Sequence, residues 1–232
     1  MALKDYFGKI KIWIRGFLDS VRRIILLDLK LGRSIRTPNP YESYDDYISW
    51  QKEKTLDPQR MEKWLGEEWE EKIEGFTKTF KRSWEYINDK QNALCLGSRA
   101  GQEVRALQIL GLNAIGIDLV PFEPCTIEGD IHNLQFENDE FGLLFSNIFD
   151  HALYPEKFCS EMERVLMTGG IIILHLQIGE ELDEFTETYV YSPDGVINLF
   201  SNLVVLESRA IQHDFDPMDW ELVLKKIPGI SK

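Results

Sequence analysis

The chain of 232 residues runs through three successive hydrophobic rhythms, two of them helical and the third alternating strand and helix. Across residues 3–30, Phe7, Ile10, Trp13, Ile14, Phe17, Leu18, Val21, Ile24 and Ile25 fall in one arc at 100° per residue, which predicts an amphipathic helix. Lys9, Lys11, Arg15, Arg22 and Arg23 lie outside that arc, although Ile12, Leu26 and Leu27 interrupt the polar side. The stretch from Leu31 to Tyr41, with Pro38 and Pro40, breaks the helix. Aromatic residues then recur at helical spacing: Tyr41, Tyr44, Tyr47 and Trp50, followed by Trp64, Trp69, Phe76, Phe80 and Trp84. One or two helices are expected over 41–90, with Asp57-Pro58 as N-cap and first helical residue and Gly66 or Gly75 as an interruption.

From Ala93 onward the rhythm becomes strand, helix, strand. Strands are expected at 93–96, 114–119, 125–128, 141–146, 171–176, 203–211 and 220–226. Helices are expected at 102–110 and at 155–166, the second stopped by Gly169-Gly170, with a shorter one between 194 and 200. Residues 171–176 are apolar almost throughout, as in strands buried on both faces of a parallel sheet; His175 among them reads as a satisfied core residue. The alternation predicts an α/β fold, a doubly wound, mostly parallel sheet with an N-terminal helical extension. The boundaries fall at 1–36, 37–90 and 91–232.

Composition narrows the class. With 44% hydrophobic and 28% charged residues the chain can bury a core. Its net charge of −13 is uneven: residues 1–36 hold nine basic residues against three acids, a net +6 that leaves −19 for the rest. An acidic body argues against broad nucleic-acid binding, which needs clustered Lys and Arg. No apolar run approaches the roughly 18 residues that would span a bilayer, and the N-terminus lacks a secretory pattern. Cys95, Cys125 and Cys159 are odd in number and unpaired in spacing, which fits a reducing, cytoplasmic compartment and small buried thiols. The four histidines show no metal-ligand spacing, so no metal is expected.

In a doubly wound sheet, ligands bind outside the carboxyl ends of the strands. The first such end is Leu96-Gly97-Ser98-Arg99-Ala100-Gly101, directly before a helix whose N-terminal N–H groups face the crevice. Asp118 ends the next strand twenty-one residues after Gly97, close to the offset of about 20 at which an acid reaches a ribose diol. Glu128-Gly129-Asp130-Ile131 offers a carboxylate beside a backbone N–H, and Ser146-Asn147 precedes Asp150-His151. Arg99 occupies the middle glycine of a nicotinamide-binding turn, and no Gly-Lys-Ser or Gly-Lys-Thr marks a P-loop.

In this order and spacing the segments resemble the class I, Rossmann-like methyltransferases that use S-adenosylmethionine, in particular the small-molecule branch of the type 11 kind. The resemblance rests on Gly129–Phe136, Phe141–Asn147, Asp150-His151 and Arg164-Val165-Leu166-Met167-Thr168-Gly169-Gly170, and covers residues 90–178. It implies S-adenosylmethionine as cofactor. Gly97, Ser98, Arg99 and Gly101 would lie at the methionine moiety, Asp118 and Leu119 at the ribose, Asp130 and Ile131 at the adenine, and Asn147 near the reacting methyl. Cys95 stands where the family usually has an acid that helps hold the cofactor's ammonium, Arg99 replaces a glycine, and Gly142 replaces an aspartate. These departures motivate a rival reading, a methyltransferase-like domain that has lost catalysis and serves as a binding scaffold.

A sulfonium methyl is already activated, so transfer needs in-line positioning and, for an oxygen or nitrogen acceptor, a base. His151 is the candidate base, or else a structural histidine; Asp150 orients it or caps the helix near Pro155. The expected acceptor is a small or glycan-like molecule. The aromatics of 41–90 either form core or, with Tyr41, Tyr44 and Tyr47 foremost, shape the acceptor pocket. Residues 3–30 admit three readings: docking on the chain's own acidic body, homodimer formation, or peripheral membrane contact.

Overall fold

The computed structural model describes residues 34–179, 185–212 and 217–229; the predicted helix over 3–30 lies outside them. In place of the one or two helices expected over 41–90 there are four: α1 (Tyr44–Thr55), α2 (Pro58–Leu65), α3 (Trp69–Arg82) and α4 (Trp84–Ile87). The breaks are local chemistry. Ser43 and Asp46 cap α1 reciprocally, each side chain accepting from the other's backbone N–H at 3.2 and 3.0 Å. Asp57 caps α2 by accepting from the N–H groups of Gln59 and Arg60, ahead of Pro58. Gly66 ends α2, whereas Gly75 lies inside α3.

A two-residue ribbon pairs β1 (Ile35–Arg36) with β7 (Tyr189–Val190). The main sheet contains β2 (Asn92–Leu96), β3 (Asn113–Asp118), β4 (Thr126–Glu128), β5 (Phe141–Ser146), β6 (Leu166–Leu176), β8 (Leu203–Ala210) and β9 (Trp220–Lys226), in the order β4-β3-β2-β5-β6-β9-β8. Pairings are parallel as far as β6, and β9 runs antiparallel to both of its neighbours. The connecting helices are α5 (Gln102–Ile109), α6 (Pro155–Val165) and α7 (Pro193–Ile197). One expectation is corrected here. Gly169-Gly170 does not stop a helix, because β6 begins directly at Leu166 and contains both glycines. Gly169 has φ +81°, and the register of β6 against β5 shifts between Phe141 and Leu143, so the pair lets the strand bulge and continue.

Strand alternation divides the core between two faces. Leu94, Leu96, Leu144, Ile172 and Leu174 pack with Phe158, Met162 and Val165 of α6. Their neighbours Ala93, Cys95, Leu143, Phe145, Ile171 and Ile173 pack with Ile73, Phe76 and Phe80 of α3 and Val104 and Leu107 of α5. Phe145 meets Phe80 and Phe76 edge-on at 5.1 and 5.6 Å between centroids. Full burial of Phe80 contributes about 2–3 kcal/mol. Most aromatics of 64–84 therefore build the core between extension and sheet. His175 is wholly buried with Nε2 3.1 Å from Glu221, and Glu221, also wholly buried, accepts from Arg82 at 2.8 Å and Arg209 at 2.5 Å. Cys95 and Cys159 are buried and Cys125 half-buried, all three as free thiols. Among the described residues no helix is long and apolar enough to cross a membrane.

Candidate functional site

The carboxyl ends of β2, β3 and β5 lie side by side because the strands are parallel, and this brings the glycine turn, Asp118 and Asn147 together. The N–H groups of Gly97 and Ser98 both donate to the Ile117 carbonyl, at 2.9 and 3.0 Å, pinning the turn to β3. Gly97 has φ +72°, and a Cβ there would stand 2.4 Å from the Ile148 side chain, so the position admits only glycine without a shift. Arg99 follows in the left-handed region at φ +42° and points its N–H at Asp118 Oδ2, 2.9 Å away. Val120 N–H donates to Oδ1 at 3.0 Å. Asp118 is only 8% exposed. Burial raises its carboxyl above the usual range, opposed by those two N–H groups and the Arg99 charge.

Asp118 faces a cleft of about 510 Å³ whose floor includes Gly97, Arg99, Leu119, Gly129, Asp130 and Ile131. Helix α1 roofs it with Tyr47, Gln51, Lys54 and Thr55, and Ile148 and His151 close one side. Asp130 is heavily engaged within the protein. It accepts from Tyr44 Oη at 2.9 and 2.8 Å and from the His132 N–H at 2.8 Å. His132 Nε2 accepts from the Tyr154 N–H, so the ring carries its proton on Nδ1, facing Asp130 at 3.2 Å. Burial would raise the Asp130 carboxyl, but His132 and Tyr44 outweigh it and hold the group below its usual range.

His151 stands on the 3-10 turn Phe149–His151, which Tyr47 anchors by donating from Oη to the His151 carbonyl at 2.9 Å. Its Nδ1 meets the Phe185 carbonyl at 2.9 Å, which assigns the proton to Nδ1 and leaves Nε2 as acceptor toward Lys54 Nζ at 3.0 Å. Of the two roles expected of Asp150, orienting His151 or capping α6, only the cap is corrected by the geometry. The N-cap of α6 is Tyr154, with no side-chain cap, whereas Asp150 Oδ2 lies 3.6 Å from His151 Nδ1.

A second cavity, of about 360 Å³, adjoins the first through Gly97 and Arg99 and is lined by Ser98, Gln102, Glu103, Asn147, Trp64 and Lys72. A wider cleft of about 1050 Å³ opens beyond, where Arg99, Asn147, Asp150 and His151 meet Arg60, Lys63 and Met218. Arg99 borders all three spaces, its guanidinium 4.7 Å over the Trp64 ring. Gly101 borders none of them. A Cβ on it would lie 2.6 Å from Cys125 Cβ, so at φ +85° it serves the close approach of α5 to the loop before β4.

Sequence reasoning named Tyr47 but missed Gln51, Lys54 and Thr55, which share its face of α1, and the pair Lys72 and Glu103. The signal was present in part: 47, 51, 54 and 55 share one helical face, and three of the four are polar. A buried polar face on an otherwise charged helix marks a site more sharply than the tyrosine periodicity does. Tyr41 reaches inward to Glu187, and Tyr44 to Asp130, so of the three tyrosines Tyr47 alone borders the cleft.

Residues 94–174 match a family model described as a methyltransferase domain. Solved structures share the fold. A Burkholderia thailandensis 1,6-didemethyltoxoflavin-N1-methyltransferase with bound 1,6-didemethyltoxoflavin and S-adenosylhomocysteine superposes with a TM-score of 0.64 at 10% identity, covering 84% of this chain and 95% of its own. An S-adenosylmethionine-dependent methyltransferase from Archaeoglobus fulgidus gives 0.51 at 13% identity, covering 66% and 94%. A Thermotoga maritima S-adenosylmethionine-dependent methyltransferase, described as a possible histamine N-methyltransferase, gives 0.51 at 13% identity, covering 72% and 98%. Curated protein sequences yield no match.

Proposed function

We propose that this chain, an S-adenosylmethionine-dependent class I methyltransferase with its type 11 methyltransferase domain over residues 94–174, methylates an oxygen or nitrogen of a small or glycan-like acceptor. The observation that carries this is the junction at Arg99: the cleft walled by Asp118 opens there into a wider one bordered by Asn147 and His151. The residues present fit the cofactor. Asp118 presents a carboxylate at the cleft wall, Ile131 and Leu119 supply apolar surface, and Gly97 lets the backbone approach without a Cβ.

The cofactor supplies a methyl group already activated on a sulfonium, so the chain's task is placement. In this scheme Asp118 and Leu119 take the ribose, Asp130 and Ile131 border the adenine, and Ser98 and Arg99 border the methionine. Asn147 marks the boundary that the methyl crosses. His151 receives the acceptor's proton at Nε2, which requires the acceptor group to replace Lys54 there, while Phe185 holds Nδ1. The Burkholderia enzyme acts on a small molecule, which supports that acceptor class here. The rival reading of a scaffold domain rests on Cys95, Arg99 and Gly142. Arg99 keeps the turn's left-handed backbone, and at Gly142 a Cβ would meet the Lys90 side chain at 3.3 Å, a contact that a shift of a few tenths of an ångström relieves.

Calorimetry tests the assignment. Wild-type protein should bind S-adenosylhomocysteine, and Asp118→Ala should abolish binding; no binding to the wild type would sink the proposal. His151→Ala should lower turnover by 10²-fold or more, an order typical of a lost general base, with cofactor affinity unchanged. Unaltered turnover in both His151→Ala and Asn147→Ala would remove those roles while leaving the class intact.

A further inference from the structure

Glu103, on the first turn of α5, is 4% exposed and lines the 360 Å³ cavity beside Ser98 and Asn147. The other charged walls of that cavity are Lys72 and Arg99. Its neighbour Gln102 is already committed, donating from Nε2 to the Trp64 carbonyl at 2.8 Å. Among the described residues no ion pair or side-chain hydrogen bond reaches the Glu103 carboxyl; its own backbone N–H is the donor it has. A buried carboxyl so placed is costly to ionise alone. One acid faces Arg99 and Lys72, the lysine shared with Glu68 at 2.8 Å, and this arrangement is complementary to a zwitterion.

We propose, on the premise that S-adenosylmethionine is the cofactor, that this cavity receives its amino-acid end, with Glu103 taking the ammonium and Arg99 and Lys72 the carboxylate. The acid missing at Cys95 thus reappears on the next element of the chain. Cys95 is fully buried within the α3 and α5 side of the core, and its thiol is raised by burial first and then by the nearby Glu103 charge. An acid at 95 would have to be buried there, whereas Glu103 reaches the cavity from α5.

The groups facing Glu103 are Arg99 from the turn, Lys72 from α3, Asp118 from β3, Cys95 from β2 and Cys125 from the loop before β4. Burial raises its carboxyl to about 8, with Arg99 and Lys72 drawing it down and Asp118 pushing it up. Near pH 6.5 the empty site therefore holds a neutral acid. An arriving ammonium keeps its own proton and converts Glu103 to the carboxylate, and the proton from Glu103 passes to solvent.

Calorimetric titration at pH 6.5 in two buffers of different ionisation enthalpy reads that proton directly, at a pH where a ligand α-amino group stays protonated. Wild-type protein should release close to one proton on binding S-adenosylhomocysteine and none on binding 5′-methylthioadenosine, which lacks the amino-acid end. Glu103→Gln should weaken S-adenosylhomocysteine about tenfold or more, abolish the release and leave 5′-methylthioadenosine affinity unchanged. Equal proton release from wild type and variant would overturn the proposal, as would equal weakening of both ligands, the mark of a damaged cleft. Failure of the wild type to bind S-adenosylhomocysteine would overturn the cofactor assignment itself, and this site with it.

Discussion

Gly97 shows how much one residue can decide. Its φ of +72° and the 2.4 Å approach of a would-be Cβ to Ile148 combine backbone and packing strain. Gly97→Ala is expected to cost about 2–4 kcal/mol by chemical denaturation and to weaken cofactor binding, since the same turn carries Arg99 toward Asp118. Glu103 makes a pH prediction at the same scale. Its folded carboxyl sits at about 8, against about 4.3 in an unfolded chain. Between those values the unfolded state gives up a proton that the folded state keeps. Ligand-free stability should therefore fall as pH rises from about 4.3 to about 8 and level off above, by a few kcal/mol at most. Urea unfolding at pH 5, 6.5 and 8.5 should show that slope in the wild type and a flatter one in Glu103→Gln.

Helix α1 is the element that turns a strand-end crevice into an enclosed cleft. It is held at several points: Tyr44 to Asp130, Tyr47 to the His151 carbonyl, and Gln51 to Glu187 at 3.0 Å. These are polar contacts over a ligand cleft, so α1 belongs to the less stable end of the structure. Tyr44→Phe deletes a hydroxyl donor to a carboxylate and should loosen α1 by about 1–2 kcal/mol. Amide exchange should quicken across 44–55 while β2, β5 and β6 keep their protection. Equal acceleration in the sheet would mean that Tyr44 supports the whole fold instead.

Across the whole molecule, Glu221 joins elements far apart in sequence. From β9 it reaches Arg82 at the end of α3, Arg209 on β8 and His175 on β6. Burial alone would raise its carboxyl, but His175 and Arg82 dominate and hold it well below the usual range. This contribution is complete above the unfolded glutamate range and is lost as pH falls toward the folded value. Glu221→Gln leaves the partly exposed Arg82 and Arg209 without their buried counter-charge and should cost about 1.5–3 kcal/mol, seen as a lower denaturation midpoint at neutral pH. Extension and sheet should still unfold in one transition, because Ile73, Phe76 and Phe80 share a core with β2, β5 and β6. The +6 segment 1–36 carries a separate proposal, that it sets where the enzyme sits. Equal pelleting with anionic vesicles, with and without residues 1–36, would remove the membrane version of it.

Periodicity along the chain determined the fold class, because strand and helix rhythms are local: 141–146 and 220–226 stand as expected, and residues such as Asp118 fall at strand ends by counting alone. Glycine spacing and the distance to Asp118 likewise placed the crevice, since parallel strands bring their carboxyl ends together. Tertiary structure decided what touches what. Glu103 reads as an ordinary first-turn helix acid until α3 buries it beside Lys72, and Asp150 reads as a cap for α6 until Tyr154 takes that place. Charge and hydrogen-bond partners come from elements tens of residues away, and only packing settles which of several eligible groups arrives.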